Sequence, residues 1–185
     1  MRIAIISDTH DNIPNLEKTL AWLNRQGISL IIHCGDLCAP SILTEVILPK
    51  FSGKIHLVYG NVGDRELLEE KCQKLKNVKF CGDFGKIRID NKNIAFVHKQ
   101  KEAKKITQSS QYDLIFYGHS HKPWIEKLKI KNALVRLADG SRKKLKIVHL
   151  VNPGNLAGMF YKATFAVYDT ETDKLELKIL EKIRD

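Results

Sequence analysis

The chain has 185 residues, of which 43% are hydrophobic and 28% charged, a composition typical of one globular domain with a proper core. It contains no apolar run near the ~18 residues that span a bilayer, and Asp8 interrupts the N-terminal run too early for a signal peptide. We therefore expect a single domain over residues 1–185, cytoplasmic and without a membrane partner. The net charge of +10 permits nucleic acid as a partner, although no nucleic-acid-binding motif accompanies the basic residues.

The first predicted element is a buried strand, because the apolar run Ile3–Ile6 is bounded by polar residues. Asp8 and His10 follow it, and residues two apart on an extended backbone point the same way. A carboxylate and an imidazole that address one point suit a divalent transition metal. Taken alone, the pair is also consistent with a helix cap and a surface histidine.

The first half of the chain then alternates helical patterns with apolar runs, as in a parallel α/β sheet. Asn12 is a good N-cap for a helix that has Pro14 in its first turn and ends near Arg25. Strands are predicted over residues 28–32 and 55–59. Further helices are predicted from near Pro40 to just before Pro49 and over residues 64–76, the last with Leu67 and Leu68 on its inner face.

The second half changes character, with short apolar runs separated by turn signals. Runs over residues 78–80, 86–89 and 93–97 are typical of an antiparallel sheet. A lysine-rich helix over residues 101–109 precedes a strand over 114–117. Beyond it, runs over 124–130, 133–137 and 146–151 predict a meander with a turn at residues 138–140, and two last strands are predicted over 163–168 and 175–180.

The four cysteines form no Cys-x-x-Cys pair. In a cytosolic protein such residues are more often reduced, half-buried thiols than disulfides or zinc ligands, and we expect reduced thiols here. They are Cys34, Cys38, Cys72 and Cys81.

Seven residues with metal-ligand side chains each come just after an apolar, strand-like run. In open α/β sheets ligands bind outside the carboxyl ends of the strands, so these side chains are expected to converge at one edge. The residues are Asp8, His10, Asp36, Asn61, His98, His119 and His121. The other three histidines, His33, His56 and His149, lie within or against such runs and are interpreted as ordinary core or surface residues.

The mixed nitrogen and oxygen donors favour Mn, Fe, Ni, Co or Zn over Mg or Ca. Seven donors are too many for one tetrahedral site, but they suit two metals that share a bridging carboxylate. Two metals ~3.5–4 Å apart can hold a bridging hydroxide and clamp a phosphate for in-line attack.

At these residues the chain resembles the calcineurin-like metallophosphoesterases, and its length and the turn Asn152–Gly154 resemble their small single-domain phosphodiesterase branch. The resemblance implies an α/β fold with two mixed β-sheets packed as a sandwich and flanked by helices. It also implies two divalent transition metals, manganese first, with Asn61 and His119 contacting the phosphate. One metal would take Asp8, His10, Asp36 and His121; the other would take Asp36, Asn61, His98 and His119, with Asp36 as the bridge.

Two positions depart from the family pattern. Val62 stands where many members have a histidine that protonates the leaving group. The nearest acidic residue, Asp64, lies two positions further along the chain and is expected to cap a helix instead. Without a general acid, a contribution of ~10²–10⁴-fold is lost for poor leaving groups. We therefore expect activity mainly on phosphodiesters with acidic leaving groups. Lys99 replaces the usual glycine after His98 and either crowds the second metal or offers a cation to the phosphate.

The sequence leaves other functions open. A catalytically weak scaffold or protein-binding module of the same fold is the first alternative, although a retromer subunit with that role has an incomplete histidine set and this chain keeps every position. A nuclease, motivated by the net charge, and a phosphomonoesterase are the others. The basic segment Trp124–Leu150 is a candidate subunit contact or substrate lid, so a homo-oligomer is also among the expected partners.

Overall fold

Eleven strands and four α-helices are assigned in the computed structural model, which describes residues 1–136 and 142–183. The strands are β1 (Arg2–Ile6), β2 (Leu30–His33), β3 (Lys54–Leu57), β4 (Val78–Phe80), β5 (Phe84–Ile89), β6 (Lys92–Val97), β7 (Leu114–Phe116), β8 (Trp124–Arg136), β9 (Arg142–Asn152), β10 (Thr164–Asp169) and β11 (Lys174–Ile179). The helices are α1 (Ile13–Arg25), α2 (Leu48–Lys50), α3 (Arg65–Gln73) and α4 (Gln100–Thr107). A π-helical turn, Leu43–Ile47, leads directly into α2, and a 3₁₀ turn, Leu180–Lys182, follows β11.

The strands form two mixed sheets. The first has the order β11-β10-β1-β2-β3-β4, with β1 to β4 parallel and the β10–β11 hairpin antiparallel to β1. The second has the order β5-β6-β7-β9-β8, in which β6, β7 and β9 are parallel and the outer strands antiparallel. This arrangement confirms the predicted fold class.

Apolar side chains fill three layers. One lies between the two sheets, one lies between the first sheet and α1 with the π-helical turn, and one covers the outer face of the second sheet beneath α4. Representative residues are Ile5, Ile32, Phe96 and Phe116 in the first layer, Leu16, Leu20 and Leu43 in the second, and Ala103, Ile115 and Val148 in the third. The layers hold the two sheets together, so that the carboxyl ends of β1, β2, β3, β6 and β7 open onto one edge.

Two predicted helix caps are confirmed. Asn12 caps α1, since its side chain accepts a hydrogen bond from Asn15 N at 3.1 Å. Asp64 caps α3 in the same way, with Leu67 N donating to its Oδ1 at 2.9 Å. All four cysteines are free thiols. Among the described residues, no helix is both long and apolar enough to cross a membrane.

Two predictions about helices were wrong. Helical structure continues through Pro49 to Lys50, because the π-helical turn Leu43–Ile47 leads directly into α2, with Pro49 in the first turn of α2. Leu67 is 40% exposed, whereas Leu68 is buried and shares its helix face with Cys72, one turn further on.

Two predictions about strands were also wrong. β4 is parallel to β3, because α3 crosses back over the sheet between them, and is not part of an antiparallel unit. The expected meander is one long hairpin of β8 and β9, whose pairing continues across a register shift between Lys131 and Val135. The turn expected at residues 138–140 lies outside the described residues.

Candidate metal centre

The seven predicted donor side chains meet at the edge formed by the carboxyl ends of five strands. The first sheet contributes Asp8 and His10 after β1, Asp36 after β2 and Asn61 after β3. The second sheet contributes His98 after β6, and His119 and His121 after β7. Their donor atoms form two groups.

The inner group consists of Asp8, His10, Asp36 and His121, whose candidate ligand atoms all lie within 4.8 Å of one another. His121 Nε2 is 3.2 Å from His10 Nε2 and 3.4 Å from Asp8 Oδ1. Ligands about 2.1 Å from one ion lie about 3.0 to 3.4 Å apart, so this spacing fits a divalent metal. The donor chemistry fits as well, since imidazole and carboxylate together suit transition metals.

The outer group consists of Asn61, His98 and His119. Asn61 Oδ1 is 2.7 Å from His98 Nε2 and 2.6 Å from His119 Nδ1. Asn61 and His119 are exposed, whereas His98 is buried. These three donors converge on one point at the solvent side of Asp36.

Asp36 lies between the two groups. Its Oδ2 is 3.6 Å from His10 Nε2 and 3.4 Å from His98 Nε2. Its Oδ1 accepts hydrogen bonds from Asn61 N at 2.7 Å and Val62 N at 3.1 Å. Burial favours the protonated carboxyl, but His98 and these two N–H groups outweigh it and lower the pKa of Asp36 to about 2. Asp36 is therefore ionised and can face both groups.

Asp8 is the most enclosed carboxylate of the site, with no exposed surface. Its two oxygens accept from His119 N, each at 3.1 Å. Burial raises the pKa of Asp8 to about 6, and a hydrogen bond from Ser7 opposes this shift. The folded chain thus holds a carboxylate that has lost most of its solvation, and a nearby cation would stabilise it.

Five of the seven donor residues have an unusual backbone conformation, which sets the direction of their side chains. Asp8, His10, Asp36, His119 and His121 all have positive φ, between 39° and 67°, a region that residues other than glycine rarely adopt. The loops also approach one another so closely that a Cβ atom at Gly60 would collide with Asp36 and one at Gly118 with Ser7 and Asp8.

Protein groups behind the ligands fix the orientation of two rings. His98 Nδ1 donates to the Cys34 carbonyl at 2.8 Å, so Nε2 is the ring nitrogen that faces the site. Cys38 Sγ is 3.5 Å from His10 Nδ1, on the side of the ring away from the donor cluster. Burial raises the pKa of the Cys38 thiol to about 11, so it stays protonated.

Three supporting residues escaped the sequence interpretation. His33 is buried and accepts from Gly35 N at 3.2 Å, and burial lowers its pKa to about 3, so it braces the loop before Asp36 as a neutral ring. Asn152 Nδ2 donates to the Gly118 carbonyl at 2.9 Å, and Asn155 Nδ2 donates to the His121 carbonyl at 3.1 Å. The sharp turn at Asn152–Gly154 was the available signal for Asn152, whereas nothing in the sequence marked Asn155.

The two departures from the family pattern lie beside the outer group. Val62 is 39% exposed and contacts Asp36 through its backbone N–H. Lys99 precedes α4 and is near enough to add to the lowering of the His119 pKa, which burial and His98 cause in larger part. Asp64, by capping α3, is engaged away from the donors.

The fold and this constellation of donors define the chain as a member of the calcineurin-like phosphoesterase superfamily, whose domain model matches residues 1–173. Among its relatives is a phosphodiesterase of Methanocaldococcus jannaschii, 29% identical over 98% of this chain and 100% of the relative. A solved structure of an archaeal phosphodiesterase superposes with a TM-score of 0.75 at 27% identity, covering 97% of this chain and 99% of that one.

More distant structures share the fold. Zinc-bound Vps29 from Entamoeba histolytica has a TM-score of 0.63 at 17% identity, over 96% of this chain and 90% of its own. The phosphoesterase YfcE from E. coli has a TM-score of 0.61 at 16% identity, over 97% of this chain and 100% of its own. The fold therefore occurs both in phosphoesterases and in Vps29.

Proposed function

We propose that the protein is a phosphodiesterase whose centre holds two divalent metals, one on the inner group and one on the outer group. The observation that carries this proposal is the position of Asp36 Oδ2, 3.6 Å from a donor nitrogen of the inner group and 3.4 Å from one of the outer group. A carboxylate that faces two sets of donors is the bridging ligand that a dinuclear site requires. The relatives named as phosphodiesterases support a phosphodiester substrate.

The donor set supports transition metals, with manganese first and Ni, Fe, Co or Zn as alternatives. When bound, two such metals supply a hydroxide nucleophile at neutral pH and neutralise negative charge on the phosphoryl oxygens during in-line attack. The site residues Asp8, His10, Asp36 and His121 would hold one metal; Asp36, Asn61, His98 and His119 would hold the other.

The chain's own groups have separate tasks in this scheme. Asn61 and His119 are exposed at the mouth of the site, where they can also contact the phosphate. Burial lowers the pKa of His119, which keeps its ring neutral at neutral pH, the form that a ligand needs. Val62 has no proton to donate, so the leaving group must depart as a stable anion. Substrates with acidic leaving groups are therefore favoured.

The test is hydrolysis of bis(p-nitrophenyl) phosphate by chelator-stripped protein, with Mn, Ni, Co, Zn and Mg added back singly. We expect a transition metal to restore activity and Asp36→Asn to abolish it. Asp64→Asn is the matched control, because Asp64 caps α3 and does not face the donors. A folded protein that is inactive with every metal would contradict the proposal and favour the scaffold alternative.

A further inference from the structure

Exposed aromatic side chains lie beside the candidate metal centre, and the chemistry proposed above does not use them. Phe160 is 87% exposed, and Tyr161 and Trp124 are 44% and 49% exposed. The Phe160 ring centroid is 5.8 Å from that of His121, a member of the inner group. A bare phenyl ring next to a metal-ligand side chain is positioned to contact whatever the centre binds.

The backbone conformation that places Phe160 beside His121 is a strained one. Tyr161 N donates to the Met159 carbonyl at 2.7 Å, and Phe160 between them has a φ of 61°, which makes a γ-turn of the rare, strained form. Bulky residues seldom adopt positive φ, and such strain is concentrated at functional sites. The buried Asn155 side chain accepts from Met159 N at 2.9 Å and donates to the His121 carbonyl at 3.1 Å. One amide therefore ties the Phe160 turn to a metal-ligand residue.

A cavity of about 320 Å³ continues from this turn. This volume is at the lower end of the ~300–1,000 Å³ typical of small-molecule sites. Its walls combine two aromatic faces, a cation and several hydrogen-bonding groups: Gln100, Tyr117, Ser120, Lys122, Trp124 and Tyr161. Ser120, one of the lining residues, lies between the donor residues His119 and His121 in the chain. The Lys122 ammonium is 5.4 Å from the Trp124 ring centroid, which places a positive charge at an aromatic wall.

We propose that Phe160, Tyr161 and Trp124 form a subsite for an aromatic base, so that the preferred substrate is a nucleotide ester. This inference rests on the proposed phosphodiesterase function and specifies its substrate. Flat aromatic side chains recognise a base through its π-face, and the polar wall groups match its edges and the sugar. Gln100 Nε2 donates to the Tyr117 hydroxyl at 3.3 Å, so the aromatic walls stand beside a polar pair and the Lys122 ammonium. A base with its sugar matches this mixture of aromatic and polar walls better than an alkyl or lipid group does, so a base is favoured.

The kinetic test compares two diesters with one leaving group. Thymidine 5′-(p-nitrophenyl phosphate) and ethyl p-nitrophenyl phosphate release the same phenol, so a difference in kcat/KM reports the other substituent. Because stacking on an aromatic side chain is worth ~1–3 kcal/mol per base, we expect a preference of roughly 5- to 150-fold for the thymidine ester. Phe160→Ala should reduce this ratio toward one, and Phe160→Tyr should retain it.

Ile147→Ala is the matched control, because Ile147 is 49% exposed and lies on β9 next to Val148, away from the donor edge. It should leave the ratio unchanged. Equal kcat/KM values for the two diesters in the unaltered protein would overturn the subsite. Sedimentation equilibrium provides a second check, since a dimer that Phe160→Ala dissociates would make the aromatic surface a contact between copies and also overturn the proposal.

A binding measurement separates the subsite from the catalytic proposal. Adenosine 5′-monophosphate and ribose 5-phosphate, which differ only in the base, are titrated calorimetrically into manganese-treated protein. We expect the nucleotide to bind roughly 5- to 150-fold more tightly, and Phe160→Ala to remove this preference. Such a preference without diester hydrolysis would support the subsite and contradict the phosphodiesterase. Hydrolysis without any preference for the base would do the reverse.

Discussion

The inner group and the outer group of donors share Asp36 but differ in how the protein encloses them. Asp8, Asp36 and His121 of the inner group are buried, whereas Asn61 and His119 of the outer group are exposed. A buried carboxylate such as Asp8 is stabilised by a cation more strongly than an exposed amide, because water solvates it less. In the proposed dinuclear centre, the inner group should therefore hold its metal more tightly, and the outer group should be the side open to substrate.

The largest expected effect is on metal retention. His121→Ala should lower the affinity of the tighter metal by more than the ~10–100-fold that loss of a supporting partner costs. His119→Ala should remove only the weaker metal, because its ring belongs to the exposed outer group. Metal analysis after dialysis against a limiting free concentration measures both. Equal losses in the two variants would contradict the proposed asymmetry.

The leaving-group preference tests the outer group next. Aryl diesters should be hydrolysed much faster than alkyl diesters, because Val62 cannot protonate the departing oxygen. General acid catalysis contributes ~10²–10⁴-fold to the rate, and Val62→His should restore part of this contribution for alkyl diesters. The ratio of kcat/KM for an aryl and an alkyl diester is the readout. Equal rates on both esters in the unaltered protein would refute the role assigned to Val62.

A supporting residue should have a smaller effect. Asn152→Ala removes the hydrogen bonds to the Gly118 carbonyl and to Ser120 Oγ, at 2.9 and 3.0 Å, that hold the loop with His119 and His121. We expect activity or metal affinity to fall ~10–100-fold. Asn24→Ala is the matched control, since Asn24 Nδ2 donates a comparable hydrogen bond, at 2.7 Å, to the Lys50 carbonyl at an exposed position. An effect of the same size in both variants would show a general loss of stability.

A separate prediction concerns the stability of the metal-free protein. Burial raises the pKa of Asp8 to about 6, so the folded state binds this proton more tightly than the unfolded state does. Stability from this group is therefore complete below about pH 4 and is lost as pH rises through about 6. Asp8→Asn should stabilise the chelated protein at pH 7.5 by up to ~3 kcal/mol.

Urea denaturation with a chelator at pH 5 and pH 7.5 measures this effect. Added metal should reverse the order of stability, because asparagine is a weaker ligand than a carboxylate. If the chelated variant is no more stable than the unaltered protein at pH 7.5, the desolvation assigned to Asp8 is wrong.

Local patterns predicted a good part of the fold and of the site. The seven donors could be selected because each follows an apolar run, and the structure brings all seven together at one edge. Caps such as Asn12 and Asp64 were predictable because they involve residues three positions away. These features depend on neighbours in the chain, which a sequence displays directly.

Features that depend on contacts between segments far apart in the sequence could not be predicted from local patterns. The support that Asn155 gives to His121 and the direction of β4 arise only when separate segments pack. The loops around Asp8 and Asp36 adopt positive φ because cross-loop hydrogen bonds, such as Asp8 N to the Gly35 carbonyl at 3.0 Å, hold them there. Aspartate adopts positive φ more readily than most residues other than glycine, but only these contacts between loops require it at both positions.

The position of β1 has a consequence for biosynthesis. β1 is made before β2 and β10, yet it lies between them in the sheet, and its Ile5 pairs with Ala166. One backbone edge of this buried strand therefore stays unpaired until β10 has been made, a condition that slows folding and invites association. The loop after β1 is also completed late, when Ala157 N reaches the Asp8 carbonyl. A nascent chain that has not yet reached Ala157 cannot present this geometry, so the proposed centre could take up metal only after that residue has been made.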